Sequence, residues 1–232
     1  MTSGTYTVNL TKNLRNNIVE LKNILNMDEN FDVLYRTLQT GGKDAALFFV
    51  DGFVKDEVME KVIEFLYSLT KEDMAENVHD MMKEHLPYIE IGRENQIEKV
   101  VVQILSGVVC LVIDGFSSCI TIDARTYPNR SIEEPEKDKV LRGSKDGFVE
   151  TLVFNTALMR RRIRDPHLVM EMTEAGQVSR TDIAVCYMQD RVDKELLCNV
   201  KTRIEELNIQ DLRMNQQSLA EALFKRKWFN PF

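Results

Sequence analysis

Two aspartates have the sequence context in which a carboxylate can do chemistry. Asp51 and Asp190 each follow an apolar run and precede an amphipathic one. Carboxylates in such a pair can bind a cation or exchange protons with a substrate. An aspartate between a strand and a helix also commonly accepts hydrogen bonds from the first free N–H groups of that helix. We interpret both residues as helix caps, and we interpret Asp114 and Asp123 as turn residues that flank a hairpin.

The histidines and cysteines lack the spacing of a metal site or of a catalytic nucleophile. His79 and His85 are six residues apart on a predicted helix, so they lie on different faces of it. The cysteines have no Cys-x-x-Cys spacing and suit small buried side chains in a reducing compartment. The remaining residues of these two types are His167, Cys110, Cys119, Cys186 and Cys198. The spacing therefore favours neither a metal site nor a nucleophilic hydrolase, and we expect no cofactor and no enzymatic activity.

Two glycine-containing loops resemble phosphate-binding loops. They are Gly41-Gly42-Lys43 and the segment GSKDG at residues 143–147. Neither has the Gly-x-x-x-x-Gly-Lys-Ser/Thr pattern that wraps phosphate groups with backbone N–H groups. The second loop precedes a predicted helix, so an anion held by its N–H groups and Arg142 stays an alternative. We favour a flexible loop that leads into the helix.

Composition and charge exclude several classes of protein. The chain has 232 residues, 44% of them hydrophobic, and a formal net charge of -7, so no global positive field attracts nucleic acid. The first ten residues lack a basic segment followed by an apolar one, so no secretory signal is visible. The longest apolar region, residues 100–113, is shorter than the roughly 20 residues of a membrane-spanning helix. We expect a chain that faces the cytosol.

Hydrophobic periodicity predicts the elements that must position these residues. Apolar residues at three- and four-residue spacing predict helices, and short apolar runs between turn residues predict strands. Helices are predicted over residues 10–25, 55–69, 75–85, 94–105, 148–163, 192–207 and 217–224. Strands are predicted over residues 31–38, 45–50, 89–91, 108–113, 119–123, 167–173 and 182–188.

The order of elements predicts an α/β (α+β) fold with two small lobes. Residues 126–147 are rich in proline, glycine and charge and have almost no apolar periodicity, which is typical of a linker. Residues 1–125 then form a first subdomain and residues 148–232 a second one. Residues 48–66 and 185–204 share a strand, an aspartate and a helix in the same order. Each lobe is therefore expected to be a mixed sheet covered by helices on one face, with a cleft between the lobes.

Basic residues at the end of the predicted helix 148–163 are a candidate interface. Cations there favourably face the negative end of the helix dipole. Arginine also binds carboxylate or phosphate bidentately, so the cluster can dock acidic linker residues or anionic lipid headgroups, and the acidic charge of the chain favours the linker. The candidate interlobe or interface residues are Arg130, Glu133, Glu134, Arg142, Arg160, Arg161, Arg162 and Arg164.

The C-terminal residues are a candidate membrane-proximal segment. Basic side chains attract anionic headgroups, and aromatic rings suit the membrane interface. A tail packed on the second lobe is an equal alternative. The candidate residues are Lys225, Arg226, Lys227, Trp228 and Phe229.

Several motifs together resemble the GerA family of spore germination proteins. The resemblance spans nearly the whole chain and is strongest after Asp114. In the linker and the helix after it, the motifs are Pro128, Arg130, Glu133-Glu134-Pro135, RGSKDGF at residues 142–148, Glu150, Asn155-Thr156 and Arg160 to Arg162. Beyond them follow Thr181-Asp182 and the C-terminal KRKWFNPF.

The resemblance implies a fragment of a larger protein whose C-terminal part crosses the spore inner membrane, with this chain on the spore-core side. It implies partner membrane subunits, a possible homo-oligomer and a part in nutrient-triggered germination and ion release, with no catalytic residue. The expected role is assembly or signal transmission, in which the linker and Arg160 to Arg164 fix the angle between the lobes and the C-terminal residues relay a change to the membrane. The alternative is a sensor that binds a nutrient or an anion in the cleft.

Overall fold

The computed structural model describes residues 8–54, 56–74, 90–126, 147–176 and 180–206. The chain divides into two compact units, Met1–Leu168 and Val169–Phe232. The helices of the first unit are α1 (Leu14–Ile24), α2 (Asp56–Ser68), α3 (Ile97–Leu105) and α4 (Leu152–Arg162). Its strands are β1 (Val33–Thr40), β2 (Lys43–Val50), β3 (Ile91–Glu94), β4 (Val109–Ile113) and β5 (Cys119–Ile122). β6 (Leu168–Ala175), β7 (Thr181–Met188) and α5 (Lys194–Glu205) complete the described elements.

The first unit is built on a five-stranded sheet in the order β1-β2-β4-β5-β3. All four pairings are antiparallel, as in β1 with β2, where Val33 lies opposite Val50 and Thr40 opposite Lys43. The β1–β2 turn is made by Gly41 and Gly42, whose φ angles of 53° and 72° match a tight hairpin of the kind that glycine permits. The expected mixed sheet is therefore antiparallel among the described strands.

Helices cover both faces of this sheet. Side chains alternate across a strand, so the two faces of β2 enter different apolar clusters. The cluster with α1, α3 and α4 takes Ala46, Phe48 and Val50 from β2. The cluster with α2 takes Ala45, Leu47 and Phe49. The expectation that helices cover one face only is wrong for this unit, because β2 and β4 are apolar on both sides and both sides must be buried.

The second unit contains the two-stranded sheet of β6 and β7 together with α5. Ala175 and Ile204 are buried there, with Ile183, Val185 and Val200 packed around them. Beside this small cluster, the Glu171 carboxylate accepts a hydrogen bond from the Tyr187 hydroxyl and pairs with Lys201, whose Nζ lies 2.5 Å from Glu171 Oε2. Polar contacts therefore supplement a small apolar core.

The α/β (α+β) class predicted from the sequence is confirmed, and the twelve described helices and strands all fall at or near predicted ones. α4 belongs to the first unit, whereas the sequence places it in a second subdomain that begins at residue 148. Almost all of the predicted linker 126–147 lies outside the described residues, as do the predicted helices 75–85 and 217–224.

Candidate functional site: a buried arginine cluster at helix α4

Helix α4 follows the predicted linker and carries the basic cluster. Asn155, in the first turns of α4, bonds back to Val149, which precedes the helix. Its Oδ1 accepts from the Val149 N–H, and its Nδ2 donates to the Val149 carbonyl, each at 2.7 Å. Thr151 occupies the N-cap position without a side-chain cap hydrogen bond. Asn155 therefore fixes the path by which the chain enters the helix.

Arg160 is the central residue of the site and is wholly buried. Its Nε donates to Asp32 Oδ2 at 2.8 Å, and its Nη2 donates to Asp32 Oδ1 at 3.0 Å. This is the bidentate geometry in which a planar guanidinium matches a carboxylate. Nη2 also donates to Asn30 Oδ1 at 3.2 Å, and Nη1 donates to the Leu168 carbonyl at 3.0 Å. Every nitrogen of the guanidinium thus has an acceptor.

The side-chain partners of Arg160 come from the loop between α1 and β1. Asn30 donates from Nδ2 to the Leu25 carbonyl at 2.8 Å, and the Asp32 carbonyl accepts from the Asp51 N–H at 2.8 Å. Both partner side chains are buried, with Asp32 only 1% exposed. These bonds hold the loop in place, so the Asp32 carboxylate is already positioned to accept hydrogen bonds from the Arg160 guanidinium.

Helix α4 approaches the turn after β2 very closely. Gly52 has a φ of +77°, and a Cβ at this position would lie 3.1 Å from Val153 Cγ1 and 3.3 Å from Ala157 Cβ. Ala157 is fully buried in the apolar cluster that also contains α1 and α3. Two small residues therefore allow the close approach that brings Arg160 to Asp32.

The four candidate arginines at the end of α4 differ in burial and in hydrogen-bond partners. Arg160 was predicted at an interface that docks linker acids, but it pairs with Asp32 inside the first unit because a buried guanidinium needs a buried anion. Arg161 is half-buried, whereas Arg162 and Arg164 are exposed. Arg164 Nε donates to the Arg161 carbonyl at 3.2 Å, which satisfies a free carbonyl at the helix end. The other candidates, Arg130, Glu133, Glu134, Arg142 and residues 225–229, lie outside the described residues.

The two aspartates predicted as helix caps do not cap helices, whereas Asp114 lies in a turn as predicted. Asp190 is wrongly predicted as a cap: Asp193 caps α5 by accepting hydrogen bonds from two of its first N–H groups. Asp51 lies five residues before α2, and its Oδ1 accepts from the neighbouring Gly52 N–H at 2.9 Å. Asp114, in the β4–β5 turn, accepts from the Leu14 N–H at 3.0 Å and so stabilises the start of α1.

Two further titratable groups have shifted pKa values. The neighbouring Cys119 and burial in the apolar cluster raise the pKa of the Cys110 thiol well above its usual value. Hydrogen bonds from Arg125 lower the pKa of Asp123, whose Oδ1 accepts from Arg125 Nε at 2.7 Å. Within the described ranges, histidine, cysteine, aspartate and glutamate side chains form no group of three or more suited to a metal ion.

The arrangement around Arg160 is suited to holding a helix in place. Nη1 of Arg160 also donates to the Asp165 carbonyl at 3.5 Å, so all five N–H groups of the buried guanidinium have an acceptor and none is left for a substrate. The sequence pattern indicates Arg160 as a candidate residue but not its partners Asp32 and Asn30. Asp32 could have been recognised from its position between Phe31 and Val33, at the start of a predicted apolar strand. A charge at a buried strand end requires a partner.

Comparisons with known proteins identify the family. The model of the family described as Bacillus/Clostridium GerA spore germination protein matches residues 19–232. Stage V sporulation protein AF of Bacillus subtilis (strain 168) is 33% identical over 227 residues, which cover 97% of this chain and 46% of that protein. Uncharacterized membrane protein YfkQ of the same strain is 27% identical over 227 residues, which cover 96% of this chain and 43% of that protein. The chain thus spans less than half the length of these relatives.

A solved structure has the same fold. The N-terminal domain of the A subunit of the Bacillus megaterium spore germinant receptor GerK3 matches with a TM-score of 0.68 at 17% identity, over 87% of this chain and 74% of that chain. In the described parts of this chain, no helix has the length and apolar character needed to cross a bilayer. The motifs around Arg160 and the family match agree: the chain belongs to the GerA family of spore germination proteins.

Proposed function

We propose that this chain is the N-terminal, non-enzymatic module of a membrane-embedded spore germination protein and that it acts in assembly with partner membrane subunits or in relaying their signal. The observation that carries the proposal is the family match over residues 19–232, in a chain that spans 46% of its sporulation relative. The name of the relative YfkQ, a membrane protein, supports a membrane region beyond this chain. The full protein would lie in the spore inner membrane with this module on the core side.

Two exposed arginines, Arg162 at the end of α4 and Arg164 two residues beyond it, are the described part of the surface proposed for this role. Both residues follow the buried anchor Arg160 within four positions, so the fixed end of the helix positions them. Two guanidinium groups on a rigid support suit acidic side chains, either of a partner subunit or of the acidic linker residues Glu133 and Glu134. The membrane-proximal role of residues 225–229 is part of the same proposal.

The test uses the full-length protein in spores of a host that lacks its own copy. Arg162→Glu and Arg164→Glu are introduced together, and Arg15→Glu, an exposed arginine on α1, is the matched control. We expect the double variant to reduce the amount of partner subunit that copurifies from spore membranes and to slow nutrient-triggered germination. The control should leave both unchanged.

Two results would contradict the proposal. One is normal copurification and normal germination when residues 1–232 are deleted from an otherwise stable full-length protein. The other is a nutrient that raises the melting temperature of this chain while assembly is independent of it, because a ligand that binds only the folded state stabilises that state. That outcome would assign ligand binding, the alternative function, to this chain.

A further inference from the structure

Helix α4 has an unusual buried face for a helix that covers a sheet. Its three buried residues are Thr156, Ala157 and Arg160. Ala157 is the only one of the three that belongs to the apolar cluster on this side of the sheet. Alanine contributes little apolar area, so burial alone provides a weak attachment for α4.

Hydrogen bonds and the ion pair provide the rest of the attachment. Arg160 reaches Asp32, Asn30 and the Leu168 carbonyl, and the Asn26 side chain donates to the Pro166 carbonyl at 3.1 Å. The segment after α4 is thereby bonded to the loop between α1 and β1 through Pro166 and to the Arg160 guanidinium through Leu168. The pair between Arg160 and Asp32 has side-chain exposures of 0% and 1%, so water does not screen it.

A buried pair of this kind has few stable intermediate positions. Partial separation leaves two charges without partners in a region that excludes water, and such charges cost more free energy than either the paired or the fully hydrated state. An apolar contact, by comparison, weakens gradually as area is exposed. Positions between the docked and the fully released helix are therefore unfavourable.

We infer that α4 is a two-state docking element: the Arg160–Asp32 pair locks the helix onto the first unit, and the segment 147–168 opens as one cooperative piece while the sheet stays folded. The inference stands on the contacts within the first unit and is independent of the proposed function. Release would free the chain on both sides of α4, between the predicted linker and β6.

The experiment measures amide hydrogen exchange by mass spectrometry on the whole 232-residue chain. In Arg160→Met, exchange in peptides covering α4 should increase by at least about 100-fold, because one partner of a buried pair is lost, and α4 should exchange through an opening that leaves β4 far better protected. Arg164→Met is the matched control, with the same change of side chain at an exposed position. It should leave protection of α4 as it is.

The double variant Asp32→Leu with Arg160→Met distinguishes the cost of a buried carboxylate without its partner from the loss of the Arg160 side chain itself. It has no orphan charge, so its α4 should be better protected than in Arg160→Met alone. Equal loss of protection in both variants would overturn the role of the pair. An Arg160→Met protein in which α4 exchanges as in the unmodified chain, or in which α4 is as well protected as β4, would overturn the two-state element.

If Arg160→Met does not fold, the unmodified chain still decides the question. In increasing urea below the unfolding transition, the amides of α4 should merge into one shared opening that precedes the opening of β4. Exchange of α4 only through global unfolding would overturn the inference. Independent fraying of single α4 amides, without a shared opening, would overturn it as well.

Discussion

Helices α3 and α4 pack on the same face of the five-stranded sheet but are attached by different physical means. α3 buries Ile97, Val100, Val101, Ile104 and Leu105, and these residues repeat at helical spacing. α4 buries one alanine, one threonine and one arginine. One helix is held by apolar area and the other by a bidentate ion pair in the interior. α3 is thus attached by apolar packing, which tolerates substitution. α4, which follows the predicted linker, is attached by an ion pair that requires both of its members.

The difference decides how each helix responds to change. Apolar packing loses free energy in proportion to the area or volume removed, so small substitutions in α3 have small effects. A buried pair fails abruptly when one member is removed, because the other keeps its charge without a partner. Substitutions in α3 and in α4 therefore test whether the two attachments differ in this way.

The largest effect is expected for Arg160→Met. It leaves the Asp32 carboxylate buried without its guanidinium, and loss of one partner of a buried pair costs about 3–5 kcal/mol. Urea unfolding followed by circular dichroism would measure the change in the free energy of unfolding. A cost below about 1 kcal/mol, the range of exposed ion pairs, would show that the pair is not the attachment of α4.

A smaller effect is expected where α4 touches the turn after β2. Gly52→Ala places a Cβ against Val153 and Ala157 at a positive φ, and we expect a cost of about 1–3 kcal/mol from crowding and strain. Thermal unfolding would measure it. Adding Val153→Ala removes the nearest side-chain contact and should recover part of the loss. Without any recovery, the strain lies in the backbone alone and the close approach of α4 contributes little.

The sequence predicted α3 better than it predicted α4, and the reason is physical. An apolar stripe is a local pattern, so the helix and its buried face could both be read from residues 97–105. The buried face of α4 depends on Asp32, which is 128 residues away in sequence from Arg160. Four arginines close together are typical of a solvated helix end, and the sequence does not distinguish the one that is buried.

The distance in sequence between contacting residues also explains which other features of the fold were predicted and which were not. The hairpins were predicted because glycine-containing turns are local signals, as at Gly41 and Gly42. The Asp114 bond to the Leu14 N–H was not predicted, because it joins residues 100 apart. For the same reason the sequence placed α4 after a domain junction, although its tertiary contacts put it in the first unit.

In α3, a small truncation should have a correspondingly small effect. Ile104 is fully buried, and Ile104→Val removes one methylene, for which we expect a cost of about 0.5–1.5 kcal/mol. Urea unfolding measured under the same conditions as for Arg160→Met gives the comparison. A larger cost for Ile104→Val than for Arg160→Met would reverse the order of the two attachments.

The smallest effect is expected at a partly exposed ion pair, which serves as the counterpart of the buried one. Asp123 and Arg125 have side-chain exposures of 24% and 28%, and hydrogen bonds from Arg125 lower the pKa of Asp123. Its carboxylate therefore stabilises the fold above the unfolded pKa of about 3.9, and this contribution is lost as pH falls through the lower folded pKa. Solvent screening keeps the contribution small.

The measurement is the free energy of unfolding from urea titrations at pH 7 and at several pH values below 4. Asp123→Asn removes the titrating group, so the variant should lose part of the acid sensitivity of the unmodified chain and should differ little from it at the lowest pH. Added salt should weaken the contribution of Asp123 at pH 7, because exposed charges are screened, whereas the cost of Arg160→Met should change little. Equal salt sensitivity of the two effects would mean that water reaches both pairs, and the contrast between α3 and α4 would then lose its physical basis.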